Sequence, residues 1–145
     1  MKSKAAKPKY HNLRIFTDGA SIPNPGHSGI GVAIRDDDNT TIDEISEYIG
    51  FATNNVAEYM ALIYALEYAV KHKAVNVDLF LDSMLVVQQV KGAWKIKAPI
   101  LKPLLIQAKT LIKEITGKVT LTHIPRIRNA EADKLAGNAI YLRTL

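Results

Sequence analysis

Two aspartates of this 145-residue chain come at the end of short β-rich runs. Asp18 closes the run LRIFTD, and Asp82 follows the alternating run VNVDLFL. In an open α/β sheet the parallel strands present their carboxyl ends on one edge, and ligands bind at that edge. If both runs are parallel strands, the two carboxylates could lie within a few ångströms of each other there.

Two further acids lie near the start of predicted helices. Glu58 falls near the first turn of a helix predicted over 54–71, and Asp133 falls in the first turn of a helix predicted over 129–142. The order of the elements does not by itself bring either side chain to the edge that carries the aspartates. The assignment of these two acids therefore depends on the fold.

Each of the four acids also has a common structural role. Asp18 precedes a glycine and could form a turn, and Asp82 with the following serine could cap a helix. Glu58 could complete a capping box, and Asp133 could complement a helix dipole. Taken singly, these roles are the commoner explanation, so a functional interpretation depends on the four acids and their flanking residues together.

The first fifty residues predict an antiparallel β-meander. Strands are predicted over 13–18, 30–34 and 41–50, where β-branched and apolar residues are concentrated. The stretch 19–29, GASIPNPGHSG, is dense in Gly, Pro, Asn and Ser and predicts a loop.

After residue 50 the pattern changes to alternating helices and strands. The predicted helices span 54–71, 83–90, 99–115 and 129–142, and the predicted strands span 75–81 and 119–124. Strands that follow helices must pair in parallel with an earlier strand through right-handed crossovers. The order βββ-α-β-α-α-β-α therefore predicts one mixed sheet.

Composition is typical of a globular protein and excludes several kinds of site. Hydrophobic residues make up 48% and charged residues 23%, which is ordinary for one domain of this length. The absence of cysteine excludes disulfides, zinc–thiolate sites, iron–sulfur clusters and thiol nucleophiles. No stretch has the ~18 apolar residues of a membrane helix, and the N-terminus lacks the apolar region of a secretory signal. We therefore expect a cytoplasmic protein without membrane association.

Positive charge is concentrated in two places. Four lysines in the first nine residues account for four units of the net charge of +5. Residues 1–10 show no periodicity and are predicted to form a flexible arm before a single domain over 11–145. The segment 91–118 holds seven lysines and one acid, with Trp94 among them. A basic stripe with an aromatic ring suits a phosphate backbone, although a solvated helix face has the same composition.

Four segments surround the four acids: TDGASIPNPGHSGIG, TNNVAEYMALIYAL, VDLFLDSMLVV and HIPRIRNAEADKLA. In this order and near this spacing they resemble the four signature segments of type 1 ribonuclease H. The resemblance covers about 13–141. It implies an α/β fold with a five-stranded mixed sheet of order 3-2-1-4-5 and helices on both faces, in agreement with the order of elements above.

The resemblance implies that Asp18, Glu58, Asp82 and Asp133 form one catalytic metal site. Four carboxylates in one cleft repel each other, which raises their pKa values unless cations neutralise them. Mg²⁺ prefers oxygen ligands and shares its coordination with substrate phosphate. Two Mg²⁺ ions ~3.5–4 Å apart, with Mn²⁺ as a possible substitute, could activate a water and stabilise the leaving 3′-oxygen.

Enzymes of this family cut the RNA strand of RNA–DNA hybrids. The resemblance therefore implies a metal-dependent endonuclease that leaves 5′-phosphate and 3′-hydroxyl ends, with the hybrid as its partner. We expect a monomer with no obligate protein partner. The alternatives are a hybrid-binding module without turnover, a domain derived from a reverse transcriptase, or another nuclease of the same general fold. The presence of all four acids argues against loss of activity.

Two short segments resemble the family's contacts to the minor groove and to phosphate. One segment contains Asn24 and Gly26, and the other contains Thr53, Asn54 and Asn55. RNA differs from DNA by its 2′-hydroxyl, which backbone groups and asparagine side chains can recognise. Capping of the next helix is the alternative role for Asn54 or Asn55.

The chain departs from the family pattern after the third acid. Many bacterial members have a long basic protrusion there, whereas only 91–98, KGAWKIKA, occupies this place here. We call this segment the basic stub. Lys91, Trp94 and Lys95 of the basic stub, together with the lysine-rich arm, are expected to bind the substrate.

A second departure concerns the residues before the last acid, where family members often have a mobile histidine. His123 has a matching separation from Asp133, but it lies in the β-like run VTLTHI, which favours a position in a strand. Arg126 is better placed, with Arg128 as a second candidate. An arginine is always charged and could hold a phosphate, but it could not shuttle a proton.

Overall fold

The computed structural model describes residues 11–143 of the chain. The strands are β1 Asn12–Ile22, β2 Gly26–Arg35, β3 Thr41–Ala52, β4 Asn76–Leu81 and β5 Val119–His123. The helices are α1 Asn54–Lys71, α2 Met84–Lys91, α3 Lys102–Glu114 and α4 Ala130–Tyr141, with 3₁₀ turns at Pro99–Leu101 and Arg126–Asn129. The predicted arm over 1–10 lies outside the described residues, so the division into arm and domain stays a prediction.

The five strands form one sheet in the order β3-β2-β1-β4-β5, which confirms the predicted topology. β1, β2 and β3 pair antiparallel, and β4 pairs in parallel with both β1 and β5. The last parallel pairs are Thr17 with Leu81 and Leu81 with His123. β4 and β5 therefore end level with each other and with Thr17 of β1, although β1 itself continues to Ile22. The residue after Thr17 lies beside the residue that follows β4.

The prediction of a loop over residues 19–29 is wrong. β1 continues to Ile22 and β2 starts at Gly26, so only residues 23–25 form a turn. The glycines in this stretch have a packing role. A Cβ on Gly19 would lie 2.2 Å from the Ala57 carbonyl carbon in α1, and one on Gly29 would lie 2.7 Å from the Ala136 carbonyl oxygen in α4. Small residues are needed here because two helices touch the strand backbones.

The core lies on both faces of the sheet. On one face, α1 and its neighbours cover a large apolar cluster that includes Ile15, Leu62 and Leu79. On the other face, α4 covers a smaller cluster that includes Phe16 and Ala132. Among residues 11–143, no helix combines the length and the apolar character that crossing a membrane would require.

The contact between β2 and α4 should tolerate no side chain at residue 31. A Cβ on Gly31 would lie 2.1 Å from the Ala132 carbonyl oxygen, whereas a Cβ on Gly137, within α4, would meet nothing within 4 Å. We expect Gly31→Ala to destabilise the protein by about 1–3 kcal/mol or more. Gly137→Ala should stabilise it by up to about 1 kcal/mol. Urea unfolding measures both, and equal midpoints for the two variants would contradict this close packing.

Candidate metal-binding active site

Asp18 and Asp82 lie side by side at the carboxyl edge of the parallel strands. Each comes directly after the paired residues Thr17 and Leu81. Two residues earlier on each strand, Phe16 and Phe80 stack with ring centroids 4.7 Å apart. Because side chains alternate along a strand, the two aspartates lie on the same face of the sheet as this aromatic pair. The prediction that these two carboxylates lie close together is confirmed. The prediction that Asp18 ends its strand is wrong, because β1 continues to Ile22 in its pairing with β2.

Glu58 reaches the aspartates from the second turn of α1. The Thr53 side chain caps this helix by accepting a hydrogen bond from the Val56 N–H at 3.2 Å. Glu58 Oε1 accepts instead from the Gly19 N–H at 2.9 Å, across the close contact between β1 and α1. The alternative of a capping box for Glu58 is therefore wrong, and so is a capping role for Asn54 or Asn55.

Asp133 lies in the first turn of α4, and its side chain is partly exposed. It lines one cleft of about 260 Å³ together with Asp18, Glu58 and Asp82. Arg126 lines the same cleft, and its Nη2 lies 3.4 Å from Asp133 Oδ1. The four predicted acids thus surround a single open space.

Three of the acids are close enough to share one cation. Ligand oxygens of Asp18, Glu58 and Asp82 all lie within 4.8 Å of one another. Asp18 is 4% exposed and Glu58 is 5% exposed. Burial, with the charges of Glu58 and Asp82 acting in the same direction, raises the pKa of Asp18 to about 10. Burial and the charge of Asp82 raise the pKa of Glu58 to about 8, against the hydrogen bond from Gly19.

This cluster fits a hard divalent cation. Carboxylate oxygens are the ligands that Mg²⁺ and Mn²⁺ prefer. Glu58 uses one oxygen for the Gly19 N–H, and its other oxygen remains for a metal. Without a cation, burial and neighbouring charge favour the protonated forms of Asp18 and Glu58, and a bound cation would remove this preference, as expected of a metal site.

Asn129 supports the cluster and was not predicted from the sequence. It is buried in the 3₁₀ turn before α4, and its Nδ2 donates to the Thr17 carbonyl oxygen at 2.8 Å and to Asp82 Oδ2 at 3.2 Å. This amide therefore fixes Asp82 relative to β1. The sequence pattern around residue 129 indicates only the start of a helix, because asparagine is common at helix starts.

The predicted substrate-contact residues Asn24 and Asn54 meet near the cleft. Asn24, in the turn after β1, accepts a hydrogen bond through Oδ1 from the Asn54 N–H at 2.9 Å. Asn54 also lines the cleft that contains the acids. Gly26 is buried at the start of β2, where a Cβ would lie 2.3 Å from the Pro23 carbonyl oxygen. One hydrogen bond thus joins the two segments that resemble the family's substrate contacts.

The basic stub begins at Lys91, the last residue of α2, and borders a second groove. Ser83 caps α2 by accepting from the Val86 N–H at 3.2 Å, and the helix ends at Lys91 before Gly92. Trp94 and Lys95 line an apolar groove of about 600 Å³. Asn55 of α1 lines the same groove, so this predicted contact faces the basic stub, while Asn54 faces the acids.

His123 is the last residue of β5, which confirms the predicted strand position, and it is exposed. It pairs with Leu81, so its side chain starts on the sheet face opposite that of Asp82. Arg126, three residues later, lines the cleft and His123 does not. Arg128 is exposed in the same 3₁₀ turn as Arg126.

Comparison with known proteins agrees with this geometry. A family model described as "Reverse transcriptase-like" matches residues 16–139. The bifunctional protein Rv2228c of Mycobacterium tuberculosis is 42% identical over 87% of this chain. The solved structure of its N-terminal RNase H domain superimposes with a TM-score of 0.84, over 89% of this chain and 98% of that one. This chain belongs to the type 1 ribonuclease H family.

Two other members of this ribonuclease H family have solved structures of the same shape. RNase H1 of Halobacterium salinarum has a TM-score of 0.85 at 38% identity, with 88% of this chain and 96% of that chain covered. LC11-RNase H1, solved in complex with an RNA/DNA hybrid, has a TM-score of 0.85 at 41% identity, with 92% and 99% covered. The chain spans 35% of the full length of Rv2228c and 64% of the halobacterial ribonuclease HI sequence.

The metal-free protein should lose stability as pH rises. The pKa of Asp18 is raised above its unfolded value, so the folded state binds more protons between about pH 4 and pH 10. We expect the free energy of unfolding in EDTA to fall by about 1–3 kcal/mol from pH 5 to pH 8. Asp18→Asn should reduce this dependence of the free energy of unfolding on pH. Added Mg²⁺ should reduce the loss of stability at pH 8.

Urea unfolding at the two pH values tests this expectation. Glu67→Gln, at an exposed position of α1, is the control that should keep the wild-type slope. A slope that is the same in wild type and in Asp18→Asn would show that Asp18 is not a source of the pH dependence.

Proposed function

We propose that this protein is a metal-dependent endonuclease that hydrolyses the RNA strand of RNA–DNA hybrids and leaves 5′-phosphate and 3′-hydroxyl ends. The observation that carries the proposal is the cluster of Asp18, Glu58 and Asp82, whose ligand oxygens lie within 4.8 Å of one another in a cleft that also contains Asp133. The complex of LC11-RNase H1 with an RNA/DNA hybrid supports the same partner for this chain.

In this proposal the four acids hold two Mg²⁺ ions, for which Mn²⁺ can substitute. When bound, the ions would supply a water of lowered pKa and neutralise charge on the scissile phosphate. The chain's own contribution is to orient the ligands before metal arrives. The Gly19 N–H fixes Glu58, and the Asn129 amide fixes Asp82. Burial keeps competing water away from Asp18 and Glu58.

In this proposal the turn after β1 and the start of α1 recognise the hybrid. The carbonyl oxygen of the Asn24 side chain is occupied by the Asn54 N–H, which leaves the Asn24 NH₂ group to donate. A 2′-hydroxyl accepts such a bond and marks the strand as RNA. Gly26 allows the close packing of the turn after β1, and Thr53 caps the start of α1. Asn55 faces the groove beside the basic stub.

Lys91, Trp94 and Lys95 of the basic stub bind the hybrid outside the cleft in this proposal. All three are exposed, and Trp94 is 49% exposed. Lysines near a duplex release counterions when they neutralise phosphates, so they contribute affinity in proportion to the number of contacts. The lysine-rich arm adds to this charge, although it lies outside the described residues.

Cleavage of labelled substrates tests the proposed activity. The protein is incubated with RNA–DNA hybrid, duplex RNA and duplex DNA, each with Mg²⁺ or Mn²⁺. We expect cleavage of the RNA strand of the hybrid alone, and products that a 5′-phosphate-dependent exonuclease degrades. Asp82→Asn should abolish cleavage, because the carboxylate charge holds the ions.

Two results would overturn this assignment. Binding of the hybrid without cleavage in either metal would favour a binding module or a domain derived from a reverse transcriptase. Retained cleavage by Asp82→Asn, together with a clear loss of metal-free stability, would make Asp82 a structural residue. The expected metal-free stability of Asp82→Asn is equal to or above that of wild type, because the change relieves carboxylate repulsion.

Arg126 should contribute more to turnover than His123. Arg126 lines the cleft and lies 3.4 Å from Asp133, whereas His123 points from the end of β5 on the other face. We expect Arg126→Ala to lower kcat by roughly 10–100-fold, less than the ~100–1000-fold lost with one buried oxyanion-hole donor, because the Arg126 side chain is 79% exposed. His123→Ala should change kcat by less than about twofold.

Steady-state kinetics on the hybrid measures both effects, and Arg126→Lys serves as the variant that keeps the charge but loses the planar fork. A larger fall in kcat for His123→Ala, with the fold intact, would identify His123 as the residue that assists turnover.

A further inference from the structure

A buried polar pair lies between the acids and the basic stub. Tyr59 directly follows Glu58 in α1 and is fully buried. Its hydroxyl donates to Oε1 of Gln89 in α2 at 2.7 Å, and Gln89 is itself 4% exposed. Buried polar groups are costly unless they are hydrogen bonded, so each side chain requires the other.

Gln89 extends this contact to the basic stub. Its Nε2 donates to the Lys95 carbonyl oxygen at 3.4 Å. After α2 ends, the backbone N–H groups of Ala93 and Trp94 return to the Gln88 carbonyl oxygen at 2.9 and 3.2 Å. These backbone bonds hold the chain up to Trp94, and the Gln89 side chain holds it immediately after. Trp94 is thereby fixed from both sides.

Gln89 also lines the groove that the basic stub shares with α1. The apolar groove of about 600 Å³ is lined by Asn55 of α1, by Gln89 of α2, and by Trp94, Lys95 and Lys97 of the basic stub. Asn55 lies one turn before Glu58 on the same helix. A shift of the basic stub relative to α1 would therefore move its ring and its lysines relative to the acids.

We infer that Tyr59 and Gln89 are positioning residues that hold the basic stub at a set distance from the catalytic cleft. The inference rests on the proposed hybrid hydrolysis. Both side chains are buried, so they act through the basic stub. Loss of the pair should weaken hybrid binding and leave the chemical step intact, because no group in the cleft changes.

Gln89→Met tests this role, since methionine has a similar volume but cannot donate to the Lys95 carbonyl. We expect a rise in KM for the hybrid of roughly three- to tenfold, the effect of one hydrogen bond, with kcat within about twofold of wild type. Tyr59→Phe should have a smaller effect. The double variant should match Gln89→Met, because the tyrosine hydroxyl acts only through Gln89.

Trp94 provides a readout independent of activity. It is the only tryptophan in the sequence, so its fluorescence reports on the basic stub alone. Acrylamide quenching should increase in Gln89→Met and stay unchanged in Gln88→Met, a neighbouring glutamine whose amide contacts Met84 in its own helix. Circular dichroism and urea unfolding establish that each variant is folded.

The outcomes separate this inference from the proposed function. Increased quenching with a raised KM supports the inference, and increased quenching in a protein that cleaves no hybrid supports the positioning contact while refuting the activity. Unchanged quenching and unchanged KM in folded Gln89→Met would overturn it. A fall in kcat with unchanged KM would overturn it as well, because it would assign Gln89 to the chemical step.

Discussion

Repulsion among three carboxyl groups is the constraint that the rest of this structure accommodates. Asp18, Glu58 and Asp82 bring their oxygens within 4.8 Å of one another, and two of them are almost completely removed from water. Both burial and mutual repulsion raise the pKa of Asp18 and of Glu58. Such a cluster opposes folding unless protons or cations neutralise it. The surrounding fold must therefore hold the ligands in place at a cost in its own stability.

Close backbone contact is how the fold holds these ligands. Gly19 lets α1 touch β1, and this contact brings the Glu58 carboxylate to the Gly19 N–H. Gly31 lets α4 touch β2, which brings the start of α4 and Asp133 over the same end of the sheet. Any larger residue at either position would push a helix away from the sheet, and with it an acid that the metal site needs.

The groups proposed to bind the hybrid are attached to the same elements as the acids. The Asn24 turn is tied to the first residue of α1 by one hydrogen bond. The basic stub is tied to the next helical turn of α1 through Tyr59 and Gln89. Because α1 also carries Glu58, the geometry of substrate contact and the geometry of metal binding are set by one helix. This arrangement suits a reaction that needs a phosphate placed accurately against fixed ligands.

The sequence by itself determined the order of the elements, the helix bounds to within a few residues, and the closeness of Asp18 and Asp82. The first two follow from local periodicity, and the third follows from the edge at which the parallel pairing of β1 with β4 ends. The placement of Glu58 and Asp133 came from resemblance to a family, since topology did not force it. Tertiary structure alone decided the rest. Residues 19–22 and 26–29 lie in strands, and Gly19 and Gly29 are in direct contact with helices there, a contact that no local pattern reveals. Asn129 supports Asp82 because its amide reaches β1 and the end of β4 at once, and those two groups are far apart in the sequence.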